Sequence, residues 1–241
     1  MDEKKVFISV LITSFFGPFM ASSINVAIPS MALEYGLNAE NLTWVLTIFF
    51  LGAVATLLPW GKYADIKGRR KIYQAGCIGV VLSALACALA PSLKVLLLFR
   101  FIQGIAMAAN FSTGMAMLVV SHPPQKRGQV IGYSASSVYM GLSLGPVIGG
   151  ALTEFLGWRT IFLFTALGIS ISIYMMKSVK QDWYGNKNEK LDIISCVLYA
   201  LSASFILYGL SDYTMHPFIK WLILIGFILS ILFFLRQKYI K

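Results

Sequence analysis

Residues 94–119 read KVLLLFRFIQGIAMAANFSTGMAMLV. A stretch of this length and apolar character can cross a hydrocarbon core of about 30 Å as a helix. Backbone N–H and C=O groups in lipid must pair within the segment, so it has to be helical. Its interior holds one charge, Arg100, at a depth of roughly 10 Å at about 1.5 Å rise per residue. Arg100, Gln103, Met107, Asn110 and Gly114 share one helical face. A guanidinium at that depth is costly unless it meets a polar cavity or a partner. The stripe therefore reads as a lined pathway. The competing reading, an arginine snorkelling to the interface, does not account for Gln103 and Asn110, which are too short to snorkel.

Seven further runs of the same kind flank this one, giving spans over 6–28, 42–60, 72–90, 94–119, 128–152, 159–177, 192–211 and 218–236. The first is too long for a secretory signal, lacks a clear cleavage site and is followed by more spans. A membrane β-barrel would alternate polar and apolar residues over short segments, whereas these runs are continuous. Of the 241 residues, 58% are hydrophobic and 12% charged, against about a quarter charged in a soluble domain. The reading is an all-α polytopic membrane protein. The organisation expected is a six-span bundle over 1–177, a cytoplasmic linker over 178–191, and two extra spans with the chain's end over 192–241.

Basic residues orient the spans. With Met1 inside the cell, the inner segments hold sixteen of the twenty Lys and Arg, including Lys62, Lys67, Arg69, Arg70 and Lys71. The outer segments hold three, Lys94, Arg159 and Lys220. This positive-inside bias places both termini in the cytoplasm and the chain in the cell membrane. Trp44, Trp60, Trp158 and Trp221 fall near span ends, where interfacial aromatics belong. The net charge of +10 is accounted for by orientation, and no nucleic-acid partner is expected. Cys77, Cys87 and Cys196 lie in apolar runs without metal-ligand spacing. His122 and His216 sit in loops beside proline, with no nucleophile or carboxylate pair. Neither an enzyme activity nor a metal or cofactor is expected.

Three segments carry more than topology. Gly61-Lys62-Tyr63-Ala64-Asp65-Ile66-Lys67-Gly68-Arg69-Arg70-Lys71, between spans 2 and 3, reads as a tight turn. In it Asp65 can pair with Arg69 or with a helix end. Charges that merely fix topology would look similar. In span 4, Arg100, Gln103 and Gly104 stand close together. In span 5, Gly141, Gly145 and Gly149 stand four apart and leave a groove for a close neighbour. There Pro146 removes a helical hydrogen bond, and Gly150 follows Gly149.

Taken together and in this order, these segments resemble the motifs of the major facilitator superfamily. The first is similar to G-x-L-A-D-R-x-G-R-K, the second to R-x-x-Q-G, and the third matches every fixed position of G-x-x-x-G-P-x-x-G-G. Asn25-Val26-Ala27-Ile28-Pro29 resembles the N-V-A-L-P of the fourteen-span drug/proton antiporters. Gly157-Trp158-Arg159 and Tyr208-Gly209-Leu210-Ser211 also resemble that family. The resemblance implies a three-plus-three inverted repeat with substrate near the midplane. It implies an inner-gate latch at Gly61, Asp65, Gly68, Arg69 and Arg70, and a proton pathway at Arg100, Gln103, Asn110 and Asn25. It implies an exporter-type interface at Gly141, Gly145, Pro146, Gly149 and Gly150. The function implied is proton-linked efflux of small amphipathic compounds, with the lipid bilayer as surroundings.

The chain also departs from that pattern. Tyr63 and Ile66 replace the loop motif's Leu and Arg, and Met20 stands where the family commonly has Asp. No Asp or Glu lies in the interior of the eight spans. A fourteen-span relative would continue for about six more spans, so the chain is expected to be an amino-terminal part. A half-transporter that needs a second membrane chain and an inactive truncated remnant are the alternatives.

Overall fold

The computed structural model describes residues 2–37, 42–186, 191–211 and 219–240. Among them are eight long helices and no strand: α1 (Asp2–Tyr35), α2 (Trp44–Lys67), α3 (Arg69–Ala88), α4 (Leu93–Val120), α5 (Pro124–Leu156), α6 (Arg159–Lys177), α7 (Ile193–Ser211) and α8 (Ile219–Ile240). All eight contain a stretch long and apolar enough to cross a membrane. Their middles match the expected spans, but α1 and α5 extend well past them, with 34 and 33 residues. Helical hydrogen bonding continues into the polar flanks, where hydropathy no longer marks the helix. Pro124 opens α5 at a position whose N–H has no helical partner anyway.

The turns have a local cause. Gly68 at φ 109° and Gly157 at φ 87° adopt a conformation that residues with a Cβ rarely take. Each separates two helices almost without a loop. The stretch expected as a turn is therefore mostly helix: Gly61, Asp65 and Lys67 belong to α2, and the reversal rests on Gly68.

The helices pair α1 with α5, α2 with α4, and α3 with both α4 and α6, while α1 also lies on α6. The core holds Phe19, Met20, Phe49, Leu96, Met107 and Phe162. Leucines such as Leu82, Leu98 and Leu167 face outward, as lipid contact allows. The linker is not a free strand. Val179 and Trp183 are buried, and residues 182–185 lie on the α2–α3 turn. Beyond it, α7 packs on α2 and α8 on α7. Arg236 of α8 pairs with Asp192, just ahead of α7, at 3.0 Å. That pairing, then the Ser195 hydroxyl, hold the Asp192 carboxyl below the usual range.

Candidate functional site

At the basic end, Asp65 accepts from Arg69 Nε and Nη2 at 2.8 Å, across one helical turn and through the glycine break. The linker covers this pair. Arg69 N donates to Trp183 O at 2.8 Å, Arg70 N to Asp182 Oδ1 at 2.8 Å, and Gly185 N to Asp65 O at 3.0 Å. Asp182 also accepts from Trp183 N. A carboxylate from the linker thus caps the amino end of α3, where helix N–H groups point outward and the helix dipole favours negative charge. A Cβ on Gly68 would run into the Asp182 carboxylate. Sequence reading missed Asp182 and Trp183. The available signal was Val179 and Trp183, two apolar residues in an otherwise polar stretch. Gly61 sits apart from this cluster, in the helix, where a Cβ would make ordinary contact with Ser112 of α4.

The polar stripe of α4 does lie on one face, and that face is packed. Arg100 and Gln103 are 0% exposed and Asn110 2%. Arg100 donates from Nε to Val45 O at 3.0 Å, and from Nη1 to Gln103 Oε1 at 2.7 Å and to Met20 Sδ at 3.7 Å. Its guanidinium carbon lies 4.3 Å from the centre of the Phe49 ring, a favourable cation–π distance. Arg100 therefore does not snorkel. Asn110 stands apart, taking the Cys77 thiol at 3.6 Å. The structure does not bring Asn25 to this group. Asn25 is exposed, and its amide bonds back to Ala21 O at 3.3 Å. A buried hydroxyl cluster that the sequence did not reveal binds α1, α3 and α6. Tyr73 Oη lies 2.9 Å from Thr13 Oγ1 and donates to Ser9 O at 2.9 Å, with Ser172 adjoining.

In α5, Gly141, Gly145 and Gly149 are all buried against α1. A Cβ on Gly141 would strike the Phe15 carbonyl, and one on Gly149 would strike Ser23. Gly150 differs, since a Cβ there would only touch Val26 at 3.6 Å. Pro146 points away from this contact and is exposed. Two serines of α1 complete the seam: Ser22 donates to Leu142 O and Ser23 to Gly145 O, both at 2.9 Å.

At the opposite end, Trp158 was expected at a lipid interface but is 3% exposed. It donates to Glu34 Oε2 at 2.7 Å, and Arg159 pairs with the same carboxylate at 2.5 Å. His122, expected as a solvated loop residue, is half-buried and bonds to Leu118 O at 2.9 Å, at the end of α4. His216 lies outside the described residues. Cys77, Cys87 and Cys196 are free thiols.

Known proteins share this architecture. A bacterial homolog of the human lysosomal transporter Spinster, in an inward-facing and unoccupied conformation, superposes with TM-score 0.63 at 19% identity, over 88% of this chain and 54% of that one. A peptide transporter POT in complex with sulfate gives 0.64 at 13% identity, over 73% and 37%. In sequence, the riboflavin transporter RibZ of Clostridioides difficile is 28% identical, over 84% of this chain and 46% of its own length. The multidrug resistance protein Stp of Mycobacterium tuberculosis is 27% identical, over 88% and 40%. The methylenomycin A resistance protein of Bacillus subtilis is 29% identical, over 94% and 50%. The chain spans about half the length of the curated relatives it matches. These relatives are transporters and resistance proteins, not enzymes. The Major Facilitator Superfamily model matches residues 10–240, and the chain belongs to that family.

Proposed function

We propose that the chain supplies the six-span bundle 1–177, the linker 178–191 and the two following spans of a proton-linked exporter of small amphipathic compounds. It would sit in the cell membrane with both termini cytoplasmic. The observation that carries the reading is the α1–α5 seam. Three glycines bring two backbones together, while Pro146 leaves a carbonyl for Ser22 rather than for a helical N–H. A helix pair joined this closely can move as one body in alternating access. The Asp65–Arg69 pair under the linker supports an inner latch, and the resistance-protein relatives support efflux as its direction. The sixteen basic residues that the sequence carries on alternate connecting segments and its termini support the orientation.

The test is export of a fluorescent amphipathic dye from an efflux-deficient bacterial host carrying the native gene product. Arg100→Ala and Gly145→Leu each should lower export at least tenfold at equal membrane abundance. Unchanged export in both would sink the assignment. A second reading, a half-transporter with a partner chain, draws on the α5 face turned from α1, where Tyr139 and Val147 are each 69% exposed. Cross-linking from a cysteine placed at residue 139 distinguishes the two. A product within the same polypeptide supports the single exporter, and a product with a second membrane chain supports the half-transporter. Any export by the product excludes an inactive remnant.

A further inference from the structure

Glycine contacts divide the first six helices into two groups. A Cβ on Gly52 of α2 would strike the Phe101 carbonyl of α4, and one on Gly104 of α4 would strike the Phe49 carbonyl of α2. Gly76 of α3 stands equally close to the Ala106 carbonyl of α4. In the other group, Gly141 and Gly145 of α5 meet the Phe15 and Phe19 carbonyls of α1, and Gly149 meets the Ser23 backbone. Gly168 of α6 receives the Phe16 ring of α1, and Phe164 of α6 adds ring contacts to Phe16 and Phe19. One leaf of the bundle is thus α2, α3 and α4, and the other is α1, α5 and α6. The division does not follow chain order, since α1 joins α5 and α6 rather than the two helices that come after it.

Helices of different leaves meet through side chains. Gly17 of α1 faces the tip of the Phe111 ring and the Met107 methyl of α4, and Gly114 of α4 faces the Val10 side chain of α1. On the α3–α6 and α1–α3 faces, Tyr73 Oη lies 2.9 Å from Thr13 Oγ1 and 3.2 Å from Ser172 Oγ, and donates to Ser9 O at 2.9 Å. Arg100 reaches Met20 Sδ at 3.7 Å, and at the outer end Tyr35 and Arg159 both donate to Ala90 O. The difference is mechanical. Where two backbones touch through glycine, no rotatable group lies between them, and a slide drives carbonyl oxygens into Cα atoms. Where side chains intervene, rotamer changes absorb small displacements, which is how packed helices shear. We infer that the bundle is two three-helix leaves that slide on each other along the α1–α4 and α3–α6 faces, with the Tyr73 hydroxyl as the catch. The division stands on packing and not on export.

The test measures distances between paired spin labels by pulsed dipolar EPR on the full chain in lipid nanodiscs. Labels go on cysteines placed at the exposed positions Leu82 of α3, Met115 of α4, Val147 of α5 and Tyr174 of α6. Cys196→Ser removes the partly exposed native thiol, and Cys77 and Cys87 are buried and stay unlabelled. The pairs 82–115 and 147–174 lie within a leaf, and 82–174 and 115–147 lie across the boundary. Each pair joins an inner half-helix to an outer one, so a slide along the helix axes changes its distance. The within-leaf pairs should give one narrow distribution, in the parent and in Tyr73→Phe alike. The across-leaf pairs should be wider or split by about 1–2 Å, the scale of helix shifts at packed interfaces. Tyr73→Phe should widen them further. Widening confined to the across-leaf pairs, in the parent or in Tyr73→Phe, supports the two leaves. Across-leaf pairs as narrow as the others in both proteins, or equal widening of all four, would overturn the inference. If Tyr73→Phe does not fold, the four parent distributions decide by themselves. Dye export plays no part in these readouts, so the leaves and the exporter reading fail separately.

Discussion

Ser22 of α1 donates its hydroxyl to the carbonyl of Leu142 in α5 at 2.9 Å. In an unbroken helix that carbonyl would accept the N–H of residue 146, and residue 146 is proline. A side chain from the neighbouring helix fills the gap that the proline opens. The proline and the serine thus belong to one device joining α1 to α5.

Ser22→Ala should therefore cost about 1 kcal/mol of stability, read as a lower unfolding midpoint in detergent. Pro146→Ala restores the helical N–H, so the double variant should lose less than the sum of the two single changes. Strict additivity would show that Ser22 and Pro146 are independent.

The glycines of α5 should not be equivalent. Gly149→Ala forces a methyl into Ser23, whereas Gly150→Ala touches Val26 at an ordinary 3.6 Å. The first should cost about 1–3 kcal/mol through overpacking. The second should leave the unfolding midpoint within about 0.5 kcal/mol of the parent. Equal losses in the two variants would contradict the seam described here.

Asp182 should control the α2–α3 turn from a distance. Asp182→Ala removes the acceptor for Arg70 N and Trp183 N and should cost about 1 kcal/mol, the range of a lost helix cap. Amide hydrogen exchange at Arg70 and Trp183 should rise roughly fivefold, with α6 unchanged. Asp182→Asn, which keeps an oxygen acceptor, should fall between the parent and the alanine variant.

The staple between Asp192 and Arg236 should respond to acid with a definite sign. Arg236, and after it Ser195, hold the Asp192 carboxyl below its ordinary value. A lowered folded-state pKa stabilises the structure above the unfolded value, near pH 4. That contribution is lost as the pH falls from there through the folded value. Exchange over residues 191–196, corrected for its intrinsic pH dependence, should be flat above about pH 5. It should accelerate below about pH 4. In Arg236→Gln most of that acid step should disappear.

Eight apolar runs, the clustering of basic residues between them and the spacing of Gly141, Gly145 and Gly149 were legible because lipid imposes simple local rules. Backbone groups must pair within each span, charges collect at span ends, and small residues every fourth position mark a close helix contact. Those rules act on a segment regardless of its neighbours, so one sequence suffices to read the helices, their order and the glycine seam. The pairing of Asp65 with Arg69 was legible because a tight glycine turn keeps two charges four residues apart within reach.

What surrounds each polar group was decided elsewhere. Nothing near Arg100 in the chain indicates that it meets Met20, Val45 and Phe49 from two other helices. The linker gives little local sign that Asp182, 112 residues after Arg70, caps α3. Nor do separate spans reveal that Ser9, Thr13, Tyr73 and Ser172 share one hydroxyl cluster. Hydropathy and motif spacing are properties of a segment, but hydrogen-bond satisfaction belongs to the packed bundle. The sequence by itself determined the spans and the family's motifs. Only the tertiary structure decided which donors and charges find partners, because buried polar groups are satisfied across helix interfaces.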